Sequence, residues 1–121
     1  MQQQPIMIAR GEVWEIQFDP SEGDEIRKIR HAIVVSAAGV GRLQLRIVVP
    51  ITGWQPQFSN HFWHIHLLPS DFNGLAKESA ADALQVKSVS IRRFQRKLGV
   101  VTSKELADVV KAVAYCIDYV P

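Results

Sequence analysis

Apolar and polar residues alternate along several stretches of the chain, and this period of two predicts half-buried β-strands. Residues 12–18 show the alternation most clearly, and residues 32–36 form a continuous apolar run that is typical of a central strand. Turn residues such as Asn73 and Gly74 separate the stretches. We therefore expect strands at residues 12–18, 32–36, 43–51, 62–69 and 83–89, and a short helix or turn at residues 90–96.

The end of the chain changes to a helical pattern. Thr102 and Glu105 have the spacing of a capping box, the reciprocal hydrogen bonding that begins many helices. Five apolar residues at helical spacing are expected to form one stripe buried against the strands: Leu106, Val109, Val110, Val113 and Ile117. Because no helix separates any two strands, the sheet is predicted to be antiparallel. The pattern predicts a mainly β fold with α: a small, curved antiparallel barrel with a C-terminal helix.

The composition is that of one globular domain. The chain has 121 residues, of which 47% are hydrophobic and 21% charged. We expect residues 1–9 to be a flexible tail and residues 10–121 to form the domain. No apolar run approaches the ~20 residues of a membrane span, and the first six residues contain no Lys or Arg. We therefore expect neither a membrane association nor a secretory signal, and a cytoplasmic location.

Cys116 is the only cysteine, which excludes an internal disulfide and a cysteine-based zinc cluster. It lies on the apolar side of the predicted helix, so we expect an unreactive core thiol.

The charge is informative through its placement. Fourteen Lys and Arg against twelve Asp and Glu give a formal net charge of +2. Basic residues cluster at residues 27–30 and 92–97, and acidic residues lie beside the first cluster. This is compatible with nucleic-acid binding without arguing for it, because each cluster can equally be a solvated face.

Three histidines crowd one predicted strand. Alternation places His64 and His66 on the same face, and His61 precedes them. Two such histidines can bind a metal, but no third ligand is evident nearby, so polar or packing roles are favoured and no metal or other cofactor is expected. No Gly-x-Ser-x-Gly, Walker or His-Glu-x-x-His pattern occurs, which argues against the corresponding hydrolase and nucleotide-binding sites.

Four segments of the chain together resemble the MazF/PemK-type toxins. They are Arg10 to Pro20 with Gly23-Asp24-Glu25, Arg30 and residues 33–36; the strand end at Pro50-Ile51-Thr52; residues 83–89; and residues 97–99 with the closing helix. Each segment alone is weak, but together they are specific, because they span nearly the whole chain in order and at compatible spacings. The resemblance implies an SH3-like, CcdB/PemK-like barrel for residues 10–121.

The resemblance also implies a function, the toxin half of a type II toxin–antitoxin pair. Such a toxin is a sequence-specific, metal-independent endoribonuclease (an mRNA interferase) that cleaves single-stranded RNA. The ribose 2′-hydroxyl would attack the adjacent phosphate and leave a 2′,3′-cyclic phosphate and a 5′-hydroxyl. The implied partners are the RNA substrate, a cognate MazE-like antitoxin and a second copy of the chain in a homodimer.

The catalytic residues that the resemblance implies are Arg30, Thr52 and Glu25. Arg30 would stabilise the transition state, because a guanidinium binds two phosphate oxygens and is a poor base, since it stays protonated in proteins. Thr52 would donate its hydroxyl to a phosphate oxygen, and Glu25 would orient Arg30, act as the base or contact RNA. The residues expected to bind RNA are Gly23, Asp24, Arg27, Lys28, Trp54, Gln85 and Lys87.

Two features differ from the family pattern. His31 stands where a proline usually follows the arginine, and residues 55–63 are unusually aromatic for a loop. We expect these differences to affect strand geometry or base specificity more than activity. The alternative interpretation is a non-catalytic barrel that binds gyrase, like the CcdB-type toxins, or binds RNA without cleaving it. The Trp-Gly-Ile type of tail found in the gyrase-binding group is not present at Tyr119-Val120-Pro121.

Overall fold

Seven β-strands and one α-helix make up the part of the chain that a computed structural model describes, residues 7–18, 29–42 and 44–120. The strands are β1 (Glu12–Gln17), β2 (Ile29–Val34), β3 (Leu45–Gly53), β4 (His64–Leu67), β5 (Ser79–Asp82), β6 (Lys87–Ser90) and β7 (Phe94–Val100). The helix is α1 (Ser103–Cys116). Short 3₁₀ turns lie at Ala38–Arg42, Pro56–Asn60, Ala83–Gln85 and Ile91–Arg93.

All the strand pairings are antiparallel, in the order β4-β5-β3-β2-β1-β7, and β6 pairs with the first half of β3. This confirms the mainly antiparallel sheet with one C-terminal helix. The described strands do not close into a ring, because β4 and β7 form the two ends of the order and no pairing joins them.

The alternation of apolar side chains divides the core between the two faces of the sheet. One cluster lies on the helix side, where Val109 of α1 packs with strand residues such as Val13 and Ile33. The other cluster lies on the opposite face and contains Trp14 and Ile16. Neighbouring residues of one strand, such as Val13 and Trp14, belong to different clusters, so both faces of the sheet carry a buried layer.

Three regions of the chain have a different character in the structure from the one expected. Residues 83–85 form a 3₁₀ turn rather than the start of a strand, because the Asp82 carboxylate accepts a hydrogen bond from the Leu84 amide and caps the turn. The pattern did not predict β5, whose central residues are two alanines. Residues 94–96, expected in a helix or turn, begin the long strand β7.

The capping box of α1 is confirmed. The Glu105 amide donates to Thr102 Oγ1 at 3.0 Å, and the Thr102 amide donates to Glu105 Oε1 at 2.8 Å. Within the predicted apolar stripe Val109 is fully buried, but the expected burial of Ile117 is wrong, because Ile117 follows the last turn of the helix and is 71% exposed. Among the described residues, no helix is long and apolar enough to cross a membrane.

Candidate active site

The register of the central strands brings Arg30 and Thr52 together. His31 of β2 pairs with Ile51 of β3, so Arg30 faces Thr52 one step further along the same register. Arg30 also pairs with Ile16, which is buried on the side away from α1. Directly opposed residues of an antiparallel pair share a face. The two side chains therefore lie side by side on the helix-free face of the sheet, where β2 begins and β3 ends.

A cavity of about 400 Å³ lies against this pair. Its wall combines residues that are far apart in the sequence, and four of them are residues that sequence analysis predicts to act on RNA: Arg30, Thr52, Gln85 and Lys87. The rest of the wall is Phe18, Pro50, Ile51, Phe58, His64 and Asp82. The structure thus gathers basic, hydroxyl, amide and aromatic groups in one depression that is large enough for a nucleobase.

The cations of this cavity are available to a ligand. Arg30 and Lys87 are exposed, and no described carboxylate lies within ion-pair distance of either. The ammonium of Lys87 lies 4.9 Å from the centre of the Phe18 ring. Some cations elsewhere are paired with carboxylates, as Arg96 is with Glu15 at 3.0 Å. A phosphate entering the cavity would therefore meet two positive charges that form no ion pair with a described carboxylate.

Thr52 is half-buried, and its hydroxyl has no hydrogen-bond partner among the described residues. Its neighbours in the sheet are fixed, since Thr52 pairs with Ala80 of β5. The hydroxyl is therefore free to donate to a ligand oxygen at a position set by two flanking strands.

The aromatic loop and β4 form the far wall of the cavity. The His64 ring lies parallel to the Phe58 ring with centroids 3.7 Å apart, and the His66 ring stacks on Trp54 at 4.0 Å. A third stack joins His61 to Trp63 at 4.2 Å. The stack of Phe58 on His64 holds the 3₁₀ turn Pro56–Asn60 against β4. Residues 55–63, which differ from the family pattern, thus contribute Phe58 to the wall of the first cavity.

His64 is tied to both neighbours of its ring. Its Nδ1 lies 3.0 Å from His61 Nδ1, and its Nε2 lies 3.5 Å from Asp82 Oδ2. Burial lowers the pKa of His64, and the nearby His61 lowers it further against the opposing charge of Asp82. No cluster of three potential metal ligands was found among the described residues. His66 bonds instead to Glu78.

A second cavity, of about 300 Å³, shares Arg30, Ile51 and Thr52 with the first. Its far side carries Lys77, whose Nζ lies 3.2 Å from the point that a Cβ on Gly53 would occupy. The catalytic pair expected from the sequence thus has an open volume on both sides, each with a lysine on its wall.

Several predicted residues lie elsewhere. Gly23, Asp24, Glu25, Arg27 and Lys28 fall outside the described residues, so their proposed roles stay predictions. Trp54 does not line either cavity, although its ring contacts that of Phe58, which lines the first.

Two further residues have roles within the fold. The guanidinium of Arg93 donates to the carbonyls of Gln17 and Phe18. Cys116 is half-buried, and burial raises the pKa of its thiol, as does the charge of Asp82, which fits an unreactive thiol.

His31 does not interrupt the strand, since it pairs with Glu15 on one side and with Ile51 on the other. Its Nε2 lies 3.9 Å from Glu15 Oε2. The difference from the family pattern therefore leaves the local register intact.

Sequence analysis did not assign Phe58, Asp82 or Lys77 to the site. The signal for Phe58 was the aromatic character of residues 55–63. It marked a difference from the family pattern but did not show which of these residues would line the cavity. Asp82 is the last residue of β5 and Lys77 lies two residues before the strand. Because β5 itself was not predicted, nothing placed its ends near Thr52.

Comparison with protein families agrees with this fold. A family model described as the PemK-like, MazF-like toxin of type II toxin–antitoxin systems matches residues 9–117. The match covers most of the chain, so the chain belongs to this toxin family.

Particular relatives are similar along nearly their whole length. The chain is 30% identical over 118 residues to the endoribonuclease MazF9 of Mycobacterium tuberculosis, covering 93% of this chain and 98% of that protein. A solved structure of the M. tuberculosis toxin MazF-mt6 has a TM-score of 0.72 at 16% identity, with 91% and 99% of the two chains covered. A MazE–MazF structure from Deinococcus radiodurans has a TM-score of 0.75 at 22% identity, with 93% and 97% covered. At these identities the solved structures support the fold.

Proposed function

We propose that this chain is an endoribonuclease toxin that cleaves single-stranded RNA at Arg30 and Thr52 without a metal ion. The observation that carries the proposal is the first cavity, in which Arg30, Thr52, Gln85 and Lys87 converge on the helix-free face of the sheet. Membership of the toxin family and the similarity to an endoribonuclease support the reaction class.

The geometry supports transition-state stabilisation by two groups. As the 2′-hydroxyl attacks the phosphate, negative charge grows on the non-bridging oxygens. The guanidinium of Arg30 can donate to two of these oxygens, because it forms no ion pair with a described carboxylate. The Thr52 hydroxyl lies on the neighbouring strand opposite Arg30 and can donate a third hydrogen bond. The products are a 2′,3′-cyclic phosphate and a 5′-hydroxyl, with Glu25 as orienting residue, base or RNA contact.

The remaining assignments concern the RNA on either side of the cleaved bond. Lys87 would bind a phosphate, and Gln85 a base edge or a ribose, because both are exposed on the cavity wall. Trp54 would bind RNA beyond the cavity, where its partly exposed ring offers a stacking surface. Gly23, Asp24, Arg27 and Lys28 complete the proposed RNA contacts.

Cleavage of a long mixed RNA in the presence of EDTA tests this function. The wild-type chain should cut and leave cyclic phosphate ends. Arg30→Ala should lose ~10²-fold or more in rate, as is typical when one preorganised transition-state donor is removed, and Thr52→Ala should lose less. Both variants should fold, because neither side chain has a described partner. RNA binding without cutting by the wild-type chain would support the non-catalytic alternative, and Arg30→Ala activity within a few-fold of wild type would refute the assignment of Arg30.

The proposal includes three statements about context. An acidic, MazE-like antitoxin would cover the exposed cations of the cavity, the chain would act as a homodimer, and it would work in the cytoplasm, where its RNA substrate is. RNA and the antitoxin tail should compete for the site, so simultaneous binding in a labelled-RNA assay would contradict a shared site. Light scattering that gives only the monomer mass at micromolar concentration would contradict the homodimer.

A further inference from the structure

A carboxylate lies in the wall of the first cavity, among groups that suit an anionic ligand. Asp82 lines the same cavity as Arg30, Thr52 and Lys87, and its side chain is 18% exposed. A carboxylate beside a phosphate is repelled by it, so phosphate binding does not explain its position. Nucleobases, in contrast, present N–H groups that a carboxylate accepts well.

We propose that Asp82 determines sequence specificity by accepting hydrogen bonds from the Watson–Crick edge of one base next to the cleaved bond. This inference rests on the proposed nuclease function and adds to it a residue that selects the substrate.

The acceptor is held in a fixed orientation. Asp82 Oδ1 accepts a hydrogen bond from the Leu84 amide at 3.2 Å, and Oδ2 lies 3.5 Å from His64 Nε2. His64 is in turn held by the parallel Phe58 ring and by His61. Each carboxylate oxygen can accept more than one hydrogen bond, so both remain available to a ligand. A rigid acceptor of this kind discriminates between bases because an unsuitable edge leaves it unpaired.

The chemistry of the four bases gives an order of preference. Guanine presents two adjacent donors, N1–H and the 2-amino group, which match the two oxygens of one carboxylate. Adenine and cytosine each present one amino group beside a ring nitrogen that accepts, and uracil presents one N–H between two carbonyl oxygens that a carboxylate repels. RNA-binding proteins read single-stranded RNA through such edges. Asp82 should therefore favour guanine and disfavour uracil.

Mapping cut sites on a pool of randomised RNA tests the inference, with the wild-type chain, Asp82→Asn and Asp108→Asn compared. The amide side chain introduced by Asp82→Asn would keep the shape and an oxygen that caps the Leu84 amide, but it would replace the other accepting oxygen with an NH₂ donor. Asp108→Asn removes the same charge on α1, where Asp108 pairs with Lys104 at 2.8 Å, and serves as the control. Circular dichroism checks that each variant folds.

The wild-type chain should prefer guanine at one position beside the cut. In Asp82→Asn the ratio of cutting at guanine to cutting at the other bases should fall about tenfold at this position alone. Asp108→Asn should keep the wild-type profile. Replacing that guanine with inosine, which lacks the 2-amino group, should slow the wild-type chain, and this readout remains if Asp82→Asn does not fold.

Two outcomes would overturn the role of Asp82. One is an unchanged base profile in an active Asp82→Asn variant, and the other is an equal loss at every cut site. Equal cutting at inosine and guanine by the wild-type chain has the same meaning. A wild-type chain that cuts no RNA refutes the nuclease itself and the inference with it, so the two failures are distinguishable.

Discussion

Glu12 belongs to the Arg10-Gly11-Glu12 motif that resembles the toxin family, but its contacts are structural. Its side chain connects the segment before β1, the strand β1 itself and the strand β7. Its Oε1 accepts hydrogen bonds from the Ala9 amide at 2.8 Å and from Trp14 Nε1 at 3.0 Å, and its Oε2 lies 3.0 Å from Lys97 Nζ. Burial alone would raise the pKa of Glu12, but these three partners together hold it below its ordinary value of 4.5. We therefore expect Glu12 to stabilise the fold and to have no part in cleavage.

The structure sets the size of the effect for Glu12→Ala. Trp14 is only 8% exposed, so loss of its acceptor leaves an indole N–H unpaired, which costs ~1–3 kcal/mol. The exposed Ala9 amide can bond to water instead and adds less than ~1 kcal/mol. The pair with the exposed Lys97 adds less than ~1 kcal/mol. The free energy of unfolding should fall by about 2–4 kcal/mol, a large part of the ~5–15 kcal/mol that stabilises a typical domain.

Urea unfolding of the wild-type chain, Glu12→Ala and Glu12→Gln measures this loss. A group whose pKa is lower in the folded state contributes stability above its unfolded pKa and loses it as the pH falls through its folded pKa. The difference between wild type and Glu12→Gln should thus be greatest near pH 7 and shrink below about pH 4.5. Equal stability at pH 7, or a folded Glu12→Ala protein that cleaves RNA much more slowly, would refute this reasoning.

Two further predictions concern RNA affinity and backbone packing. Lys87→Gln should lower the slope of log affinity for RNA against log salt concentration by ~0.7, because one phosphate contact is lost. The control Lys104→Gln on α1 should leave the slope unchanged. Equal slopes for the wild-type chain and Lys87→Gln in titrations at several salt concentrations would exclude a phosphate contact at Lys87. Gly99→Ala should cost about 1–3 kcal/mol in urea unfolding, because its Cβ would lie 2.1 Å from the Phe72 carbonyl oxygen. Gly39, with open space around its Cβ position, is the control, and a Gly99→Ala protein as stable as Gly39→Ala would contradict the close packing.

The sequence predicts those strands that carry clear alternation or large apolar residues. The β1 segment was recognised because Trp14 and Ile16 alternate with polar residues, and the structure buries both side chains. The β5 segment was missed because Ala80 and Ala81 carry little β-propensity, and they fit there because β5 is enclosed between β3 and β4. Burial between neighbouring strands is a property of the whole sheet, so a local pattern does not contain it.

The residues of the candidate site likewise fall into two groups, those that the sequence could identify and those that depend on the pairing of distant strands. Arg30 and Thr52 were identified by resemblance, and their proximity follows from β2 and β3 being consecutive in the sequence. Asp82 could not be placed, because its approach to His64 depends on the pairing of β4 with β5 after a long intervening loop. The resemblance therefore identified the residues proposed to cleave RNA, whereas the residues of the cavity wall that would select the substrate could be located only in the structure.

The register that opposes Arg30 to Thr52 limits where the chain can change in length. A one-residue slip of β3 against β2 would turn the Thr52 hydroxyl toward the face covered by α1 and leave Arg30 without its neighbour. Insertions within Leu45–Gly53 should therefore be excluded from active relatives, whereas the exposed turn at residues 55–60 can lengthen without moving either side chain. Changes in that turn would reshape the wall around Phe58, so we expect relatives to acquire new RNA targets through loop length while keeping the proposed catalytic pair.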